Sequence, residues 1–380
     1  MKPQKLLPIL NIALSSLTVL VLSAVTLFSP KSDFSDLENR YLTSAPRLTA
    51  SSWFTGYYSD KFSEYIGDHF VLRPRWISLR TRLERLAGHD AVNDVYFSDG
   101  RFYEVMPPVD YALVDRSVSA INSFGDALNG KLSVLIAPTS SQIYVDRLPD
   151  YAPEQEQRRM INYVYSALGE NIQSIDVYDA LYRAREDYIY YRTDHHWTTY
   201  GAYIAYSTLI RRYGYDPVGL DRIDIDHASH SFRGSYYSKV ISREAEPDTI
   251  DIYTSRGAEV GSVRITSADG TVTEHESMYF RENLEKKDKY LTFLGENVPL
   301  IEIESGAGGG SILVIKDSYA NCLVSFLTKH FSKVAVVDLR YMMDLKDFAD
   351  PAEFDRVLIL YNASTFASDT NLPKLRGFEP

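Results

Sequence analysis

Ser311-Ile312-Leu313-Val314-Ile315-Lys316-Asp317-Ser318-Tyr319-Ala320-Asn321 is the stretch on which the reading of this chain turns. Five residues with a continuous apolar centre fit a strand buried on both faces, which is the pattern of a parallel sheet covered by helices. Similar runs occur at Leu132-Ser133-Val134-Leu135-Ile136-Ala137, Lys333-Val334-Ala335-Val336-Val337 and Arg356-Val357-Leu358-Ile359-Leu360. Between them lie helix-length segments. Gln155 to Leu168 reads as one helix. A second begins after Thr198-Thr199 and runs through Ala202, Tyr206, Leu209 and Ile210 to Gly214, with hydroxyl capping at one end and glycine at the other. Ile172 to Val177 reads as a short strand. Alternation of this kind predicts an α/β fold with a mostly parallel sheet and helices on both faces.

Residues 220–305 interrupt it. Thr249 to Thr254 and Ser262 to Thr273, the latter turning at Ala268-Asp269-Gly270, read as an inserted antiparallel segment. Near the other end, Val92 to Tyr103 reads as two short strands about Asp99-Gly100. The main domain is placed at 91–380, preceded by a helical approach segment at 31–90, where Phe62, Tyr65, Ile66, Phe70, Trp76, Leu79 and Leu83 recur at roughly helical spacing. Residues 1–30 are a different material. Leu6 to Phe28 holds no charged side chain and follows Lys2 and Lys5. Its length suits the about 20 helical residues that cross a bilayer and exceeds the ~7–15 of a signal-peptide core. An uncleaved anchor is expected, with the basic tip in the cytoplasm and residues 31–380 outside.

Composition narrows the rest. The 380 residues are 45% apolar and 24% charged, which is globular and excludes a disordered or coiled-coil chain. Lys and Arg total 40 against 51 Asp and Glu, a net charge of -11. Nucleic acid is therefore not an expected partner, because phosphate neutralisation needs a basic face. Without Lys2 and Lys5 the outer part is more acidic still, so repulsion from an anionic lipid surface is expected. Cys322 is the sole cysteine, leaving no internal disulfide.

Two polar clusters sit where such folds place their chemistry, at carboxyl ends of strands. One is Tyr191-Arg192-Thr193-Asp194-His195-His196-Trp197-Thr198-Thr199-Tyr200-Gly201, and the other is Lys316 to Asn321. In extended backbone Asp194 and His196 would point to one side, so that the carboxylate holds one ring nitrogen and the other takes a proton from a hydroxyl. Ser318, between a strand and a helix N-terminus, has the position of a nucleophile. Blander readings exist. Asp194-His196 could be a capping arrangement, Ser318 an N-cap, and Asp194-His195-His196 metal ligands, although no second ligand cluster accompanies them. His227-Ala228-Ser229-His230 reads as a solvated loop. Gly306 to Gly310 lacks the Lys-Ser/Thr ending of a phosphate loop. No metal or other cofactor is expected. Tyrosine occurs 29 times against 17 Phe and 3 Trp, and its flat face and hydroxyl suit sugars. Tyr191, Tyr200, Tyr319 and Asn321 are the candidate substrate contacts.

Thr193-Asp194-His195-His196-Trp197-Thr198 with Gly201-Ala202-Tyr203 resembles the signature of the DHHW proteins, relatives of the alginate O-acetylation proteins in the SGNH-hydrolase superfamily. Glu38-Asn39-Arg40-Tyr41-Leu42, Asp99-Gly100, Gly234-Ser235-Tyr236-Tyr237-Ser238-Lys239 and Lys316 to Asn321 extend the resemblance over nearly the whole chain outside the anchor. It implies an SGNH-like three-layer fold and a Ser318, His196, Asp194 triad, with serine last in chain order. It also implies oxyanion donors, for which Asn362 and, less securely, Arg340 have matching positions. Lys316 departs from the Gly-Asp-Ser of most SGNH proteins and bears on the turn geometry. The implied activity is O-acetyl transfer to a cell-surface or secreted polysaccharide, with a membrane-bound O-acyltransferase as donor partner. Hydrolysis by the same triad, making a carbohydrate esterase, and a non-catalytic polysaccharide-binding scaffold are the alternatives.

Overall fold

A computed structural model describes residues 3–38, 40–153, 156–255 and 260–378, with side chains from residue 8 onward in the first helix. Lys2, Asn39 and Gln155, and the side chain of Lys5, all invoked above, lie outside the described part. The chain forms two compact units, Met1–His89 with Ser238–Ser242, and Asp90–Tyr237 with Arg243–Pro380.

In the first unit, α1 spans Pro3–Phe28, and its Pro8–Phe28 portion has a mean hydropathy of 2.0, long and apolar enough to cross a membrane. Three helices follow, α2 (Ala50–Phe54), α3 (Tyr57–Asp68) and α4 (Arg73–Leu86). A capping box between Thr49 and Ser52 starts α2. Polar locks tie the segment together. Arg40 grips Asp68 in a fork, Nη1 to Oδ2 at 3.0 Å and Nη2 to Oδ1 at 2.5 Å, and Arg73 Nε donates to Glu38 Oε1 at 2.7 Å. Although burial opposes it, this pairing with Arg40 and Arg73 holds Glu38 below its ordinary value.

The second unit is built on an eight-stranded sheet. In chain order its strands are β1 (Leu132–Ala137), β2 (Gln173–Ser174), β3 (Val260–Thr266), β4 (Val272–His275), β5 (Leu300–Ser305), β6 (Ser311–Lys316), β7 (Lys333–Val337) and β8 (Arg356–Asn362). In space they run β4-β3-β5-β7-β6-β8-β1-β2. The five from β7 to β2 are parallel. Antiparallel pairing adds β5, β3 and β4 at the other edge. The expected insertion is thus partly the outer third of one mixed sheet. Within the insertion, Ile223–Phe232 and Asp248–Ser255 pair with each other apart from it, and Ala91–Val92, Val95–Ser98 and Arg101–Glu104 form a separate three-stranded sheet.

Period two decides how the strands are buried. Ile312 and Val314 of β6 and Leu358 and Leu360 of β8 enter one core cluster, while Leu313, Ile315, Val357 and Ile359 enter a second on the opposite face. Helices α7 (Thr199–Arg212) and α8 (Ala320–Leu327) line the first cluster. Helices α5 (Tyr111–Ala127), α6 (Gln157–Ala167) and α9 (Ala363–Ser368) line the second. This gives the three-layer α/β arrangement. Full burial of each such aliphatic side chain stabilises by about 1.5–3 kcal/mol. From β6 the chain passes through α8 to β7 on one side, then crosses to β8 on the other, which makes the carboxyl end of β6 a topological switch point.

α7 begins as its sequence implies, with the Thr198 hydroxyl accepting from Gly201 N at 3.2 Å and Gly214 left-handed beyond its end (φ 85). Gly201 is required for another reason. A Cβ there would lie 2.2 Å from the backbone oxygen of Ile189, which cannot swing aside. Gly201→Ala is therefore expected to cost about 1–3 kcal/mol, measured as a lower midpoint of denaturant unfolding.

Candidate active site

The histidine motif is not extended. Tyr190 and Trp197 form an antiparallel bridge, and residues 192–196 bend between them. Asp194 and His196 meet through a tight turn instead, in which Asp194 Oδ1 accepts from His196 N at 3.0 Å and from His196 Nδ1 at 2.6 Å. Its other oxygen accepts from Ser235 N at 2.7 Å. Backbone and side-chain donors together hold the carboxylate, while Gly234 lets the neighbouring chain approach. A Cβ at Gly234 would fall 2.2 Å from Asp194 Cβ and Oδ2.

With Nδ1–H spent on a carboxylate, which can only accept, Nε2 of His196 is left as an acceptor. Ser318 Oγ lies 2.8 Å from it. Ser318 is partly exposed, whereas His196 and Asp194 are 5% and 3% exposed, so the serine is the most exposed of the three. The serine occupies the turn between β6 and α8, and Asp317 sets that turn. Its Oδ1 accepts from Tyr319 N at 2.9 Å, and its Oδ2 from Asn362 N at 2.8 Å and Asn362 Nδ2 at 2.6 Å, joining the ends of β6 and β8. Among the described residues, the Ser318 amide N–H has no acceptor.

Electrostatics favour a neutral base. Burial, helped by the adjacent His195, lowers His196 to about 4, against the pull of Asp194. The two imidazoles hold Asp194 well below the usual carboxylate range despite its burial. His195 turns the other way, with Nδ1 2.8 Å from Ser235 Oγ and its ring centroid 3.7 Å from that of His196. Asp194 raises it although burial opposes this. Ligating atoms of Asp194, His195 and His196 lie within 4.8 Å of one another. Three of those atoms are already engaged, Asp194 Oδ1 with His196 Nδ1, His196 Nε2 with Ser318 Oγ and His195 Nδ1 with Ser235 Oγ.

Lys316, at the position where the resemblance implied glycine, is buried with its ammonium paired. Its Nζ donates to Asn297 Oδ1 at 2.6 Å and lies 3.5 Å from Asp338 Oδ2. Burial lowers it to about 8. Arg340 is committed to Asp338 through Nε at 2.9 Å and Nη2 at 2.6 Å. Asn362 reaches the right strand end, but its Nδ2 hydrogens go to Asp317 and, at 2.7 Å, to Thr365 Oγ1. Both side chains thus spend these donors on Asp338, Asp317 and Thr365.

The aromatic candidates also need correction. Tyr191 is 1% exposed and lies edge-on to Phe232 and Tyr290, and Tyr319 is fully buried with its hydroxyl on the His195 carbonyl. Both support the histidine loop from within, out of reach of a sugar. Tyr200 is half-buried beside Tyr203, and Asn321 is buried with its Oδ1 unbonded among the described groups.

Two residues carry parts of the site that no sequence signal marked. Tyr290 stacks on the His196 ring at 3.7 Å and 11°, and its hydroxyl donates to the Ser318 carbonyl at 3.1 Å. Asp248, fully buried, accepts from Tyr188 Oη at 2.5 Å, Arg192 N at 2.7 Å, Thr193 N at 2.8 Å and Thr193 Oγ1 at 2.5 Å. It fastens the loop that presents Asp194. Asp248 stands at the start of a strand and Tyr290 in a short 3-10 turn, and the fold brings both to the histidine loop from distant parts of the chain.

Fold and site together define a three-layer α/β protein with a serine, histidine and aspartate in hydrogen-bonded series at a sheet switch point. The chain belongs to the DHHW family, whose model, described as DHHW protein, matches residues 89–337. It is similar to a DHHW family protein from Eubacterium siraeum DSM 15702, with 23% identity and a TM-score of 0.65 over 75% of this chain and 96% of that one. It is also similar to Bacillus cereus PatB1, 22% identical with a TM-score of 0.64 over 74% of this chain and 99% of that one. A second PatB1 structure, with a sulfonyl adduct, is 20% identical with the same TM-score, over 74% and 98%. These likenesses establish the fold. No curated protein sequence matches the chain.

Asp248→Asn would set an amide N–H2 against the donors that the carboxylate now accepts. Each buried donor left unpaired costs about 1–3 kcal/mol, so a clear drop in melting temperature is expected by calorimetry.

Proposed function

We propose that this protein is a membrane-anchored, extracytoplasmic O-acyltransferase that moves an acetyl group onto a polysaccharide through an acyl-Ser318 intermediate. The observation that carries the reading is the series Ser318 Oγ, His196 Nε2, His196 Nδ1, Asp194 Oδ1, at 2.8 and 2.6 Å, with the serine its most exposed member. In the first half, Ser318 Oγ attacks the acyl carbonyl while His196 Nε2 takes the hydroxyl proton, and Asp194 stabilises the imidazolium that forms. The unpartnered Ser318 N–H is the donor we assign to the developing oxyanion. Collapse breaks the bond to the leaving group, which receives the proton from His196. In the second half a sugar hydroxyl gives its proton to His196 and attacks the acyl-serine. The transferred ester forms, and Ser318 regains its hydrogen.

The apolar α1 is the support for anchoring, and with the anchor in a bilayer the donor we infer is a membrane-bound O-acyltransferase partner. Water in place of the sugar would give an esterase, so the decisive assay follows acetyl from a small activated ester into sugar or into free acetate. Incorporation into an oligosaccharide supports transfer, and acetate alone supports hydrolysis. Sulfonyl fluorides react with activated hydroxyls, and a PatB1 structure carries a sulfonyl adduct. Such a reagent should label Ser318 in the wild-type protein. Ser318→Ala and His196→Ala should each abolish labelling and turnover, with little additivity because the residues act as a unit. Labelling that survives in Ser318→Ala would sink the assignment.

pH gives a separate check. The base must be neutral, and His196 is lowered to about 4 from 6.5. Activity should therefore persist through the range where a free histidine becomes protonated, and fall only as pH nears 4. Because His195 contributes to that lowering, His195→Ala should move the acid limb of the pH–rate profile upward while leaving Ser318 reactive at neutral pH.

A further inference from the structure

Helix α4 carries an apolar line on its outer face. Trp76, Leu79, Leu83 and Leu86 follow one another at three, four and three residues, which places them on one side of a helix. Their exposures are 43, 45, 57 and 82%. A helix of a globular unit turns such a line inward, yet the one buried residue of α4 is Thr81. By helical spacing Arg75 and Arg82 flank the line on one side and Arg80 on the other. The segment Arg73–Leu86 holds five arginines and one glutamate, in a chain whose net charge is -11. α2 and α3 add exposed Trp53, Phe54 and Tyr57.

The position of this face is set by α1. Val71 N, two residues before α4, donates to Thr26 Oγ1 at 3.2 Å, and Thr26 itself is 2% exposed. Thr26 stands two residues before the end of α1, about 3 Å along its axis at 1.5 Å per residue. Trp76 Nε1 in turn donates to the Val71 carbonyl at 3.0 Å. The start of α4 is therefore pinned beside the last turn of the apolar span. Where that span crosses a bilayer, this level is the boundary between acyl chains and headgroups.

We propose that α4 lies in the membrane interface as an amphipathic collar at the foot of the anchor, with Trp76, Leu79, Leu83 and Leu86 among the acyl chains and Arg75 and Arg82 on anionic lipid phosphates, while Arg80 is held by Glu84 at 2.6 Å. Exposed apolar line, flanking arginines and continuity with the span fit a lipid surface better than water. An anionic leaflet is the occupant because the local charge is positive. The repulsion expected from net charge is thus reversed where the chain meets the membrane. This inference rests on α1 spanning the bilayer and is independent of acyl transfer.

Tryptophan fluorescence tests it on the full chain in protein-free vesicles that contain anionic lipid. The chain has 3 tryptophans, and Trp197 is fully buried, leaving Trp53 and Trp76 as reporters. Lipids brominated near the headgroup should quench the emission, and Trp76→Phe should remove a large share of the quenched signal. Leu79→Asp with Leu83→Asp should release Trp76 to aqueous iodide without lowering the melting temperature. Arg75→Ser and Arg82→Ser should each weaken docking roughly fivefold, an effect that disappears in neutral lipid. Trp76 open to iodide and blind to brominated lipid, in vesicles with which the chain floats, would overturn the proposal and point the apolar line at a protein partner. A chain that fails to float would overturn it too, by removing its premise.

Discussion

The hydrogen bond between Ser318 Oγ and His196 Nε2 joins two segments 122 residues apart, and much of the polar interior of the second unit holds its two ends in place. At one end Asp317 ties the Ser318 turn to the neighbouring strand through Tyr319 and Asn362. At the other, Asp194 and Asp248 gather backbone N–H groups around the histidine loop. Three buried carboxylates are costly unless donors surround them. Here every oxygen of the three has a donor, so burial is turned into rigidity.

Rigidity has a chemical consequence. A hydroxyl and an imidazole in contact only some of the time would lose the advantage of prepaid orientation. Tyr290 contributes on both sides of the bond, stacking on the ring and donating to the Ser318 carbonyl. Lys316 shows the same economy. Its charge is absorbed by Asn297 and Asp338, with Arg340 completing the set, so a long cationic side chain can be buried beside the Ser318 turn.

The first unit follows a different logic. Its helices bury few side chains and are locked by ion pairs such as Arg40 with Asp68. A unit that leaves so much apolar surface exposed is suited to a surrounding other than water. Net charge described the chain as a whole and hid a basic segment beside the apolar helix α1, because a sum over 380 residues averages away what adjacent residues do together.

What could be read from the sequence was what depends on near neighbours. The apolar runs at Ser311–Ile315, Lys333–Val337 and Arg356–Leu360 announced strands buried on both faces, the Thr198 cap and Gly214 bounded a helix, and two known motifs, one with Asp194 and His196 and one with Ser318, named the candidate site. Those features repeat within a few residues, where backbone geometry dictates side-chain direction. Tertiary structure decided the rest. It bent the histidine motif into a turn, drew β3, β4 and β5 into the main sheet, and sealed Tyr191 and Tyr319 in the core. It also turned Asn362 toward Asp317 and brought Asp248 and Tyr290 to the site. Each of these depends on a partner far away in the chain, and a residue's sequence neighbours carry no record of which distant group will satisfy its hydrogen bonds or cover its ring.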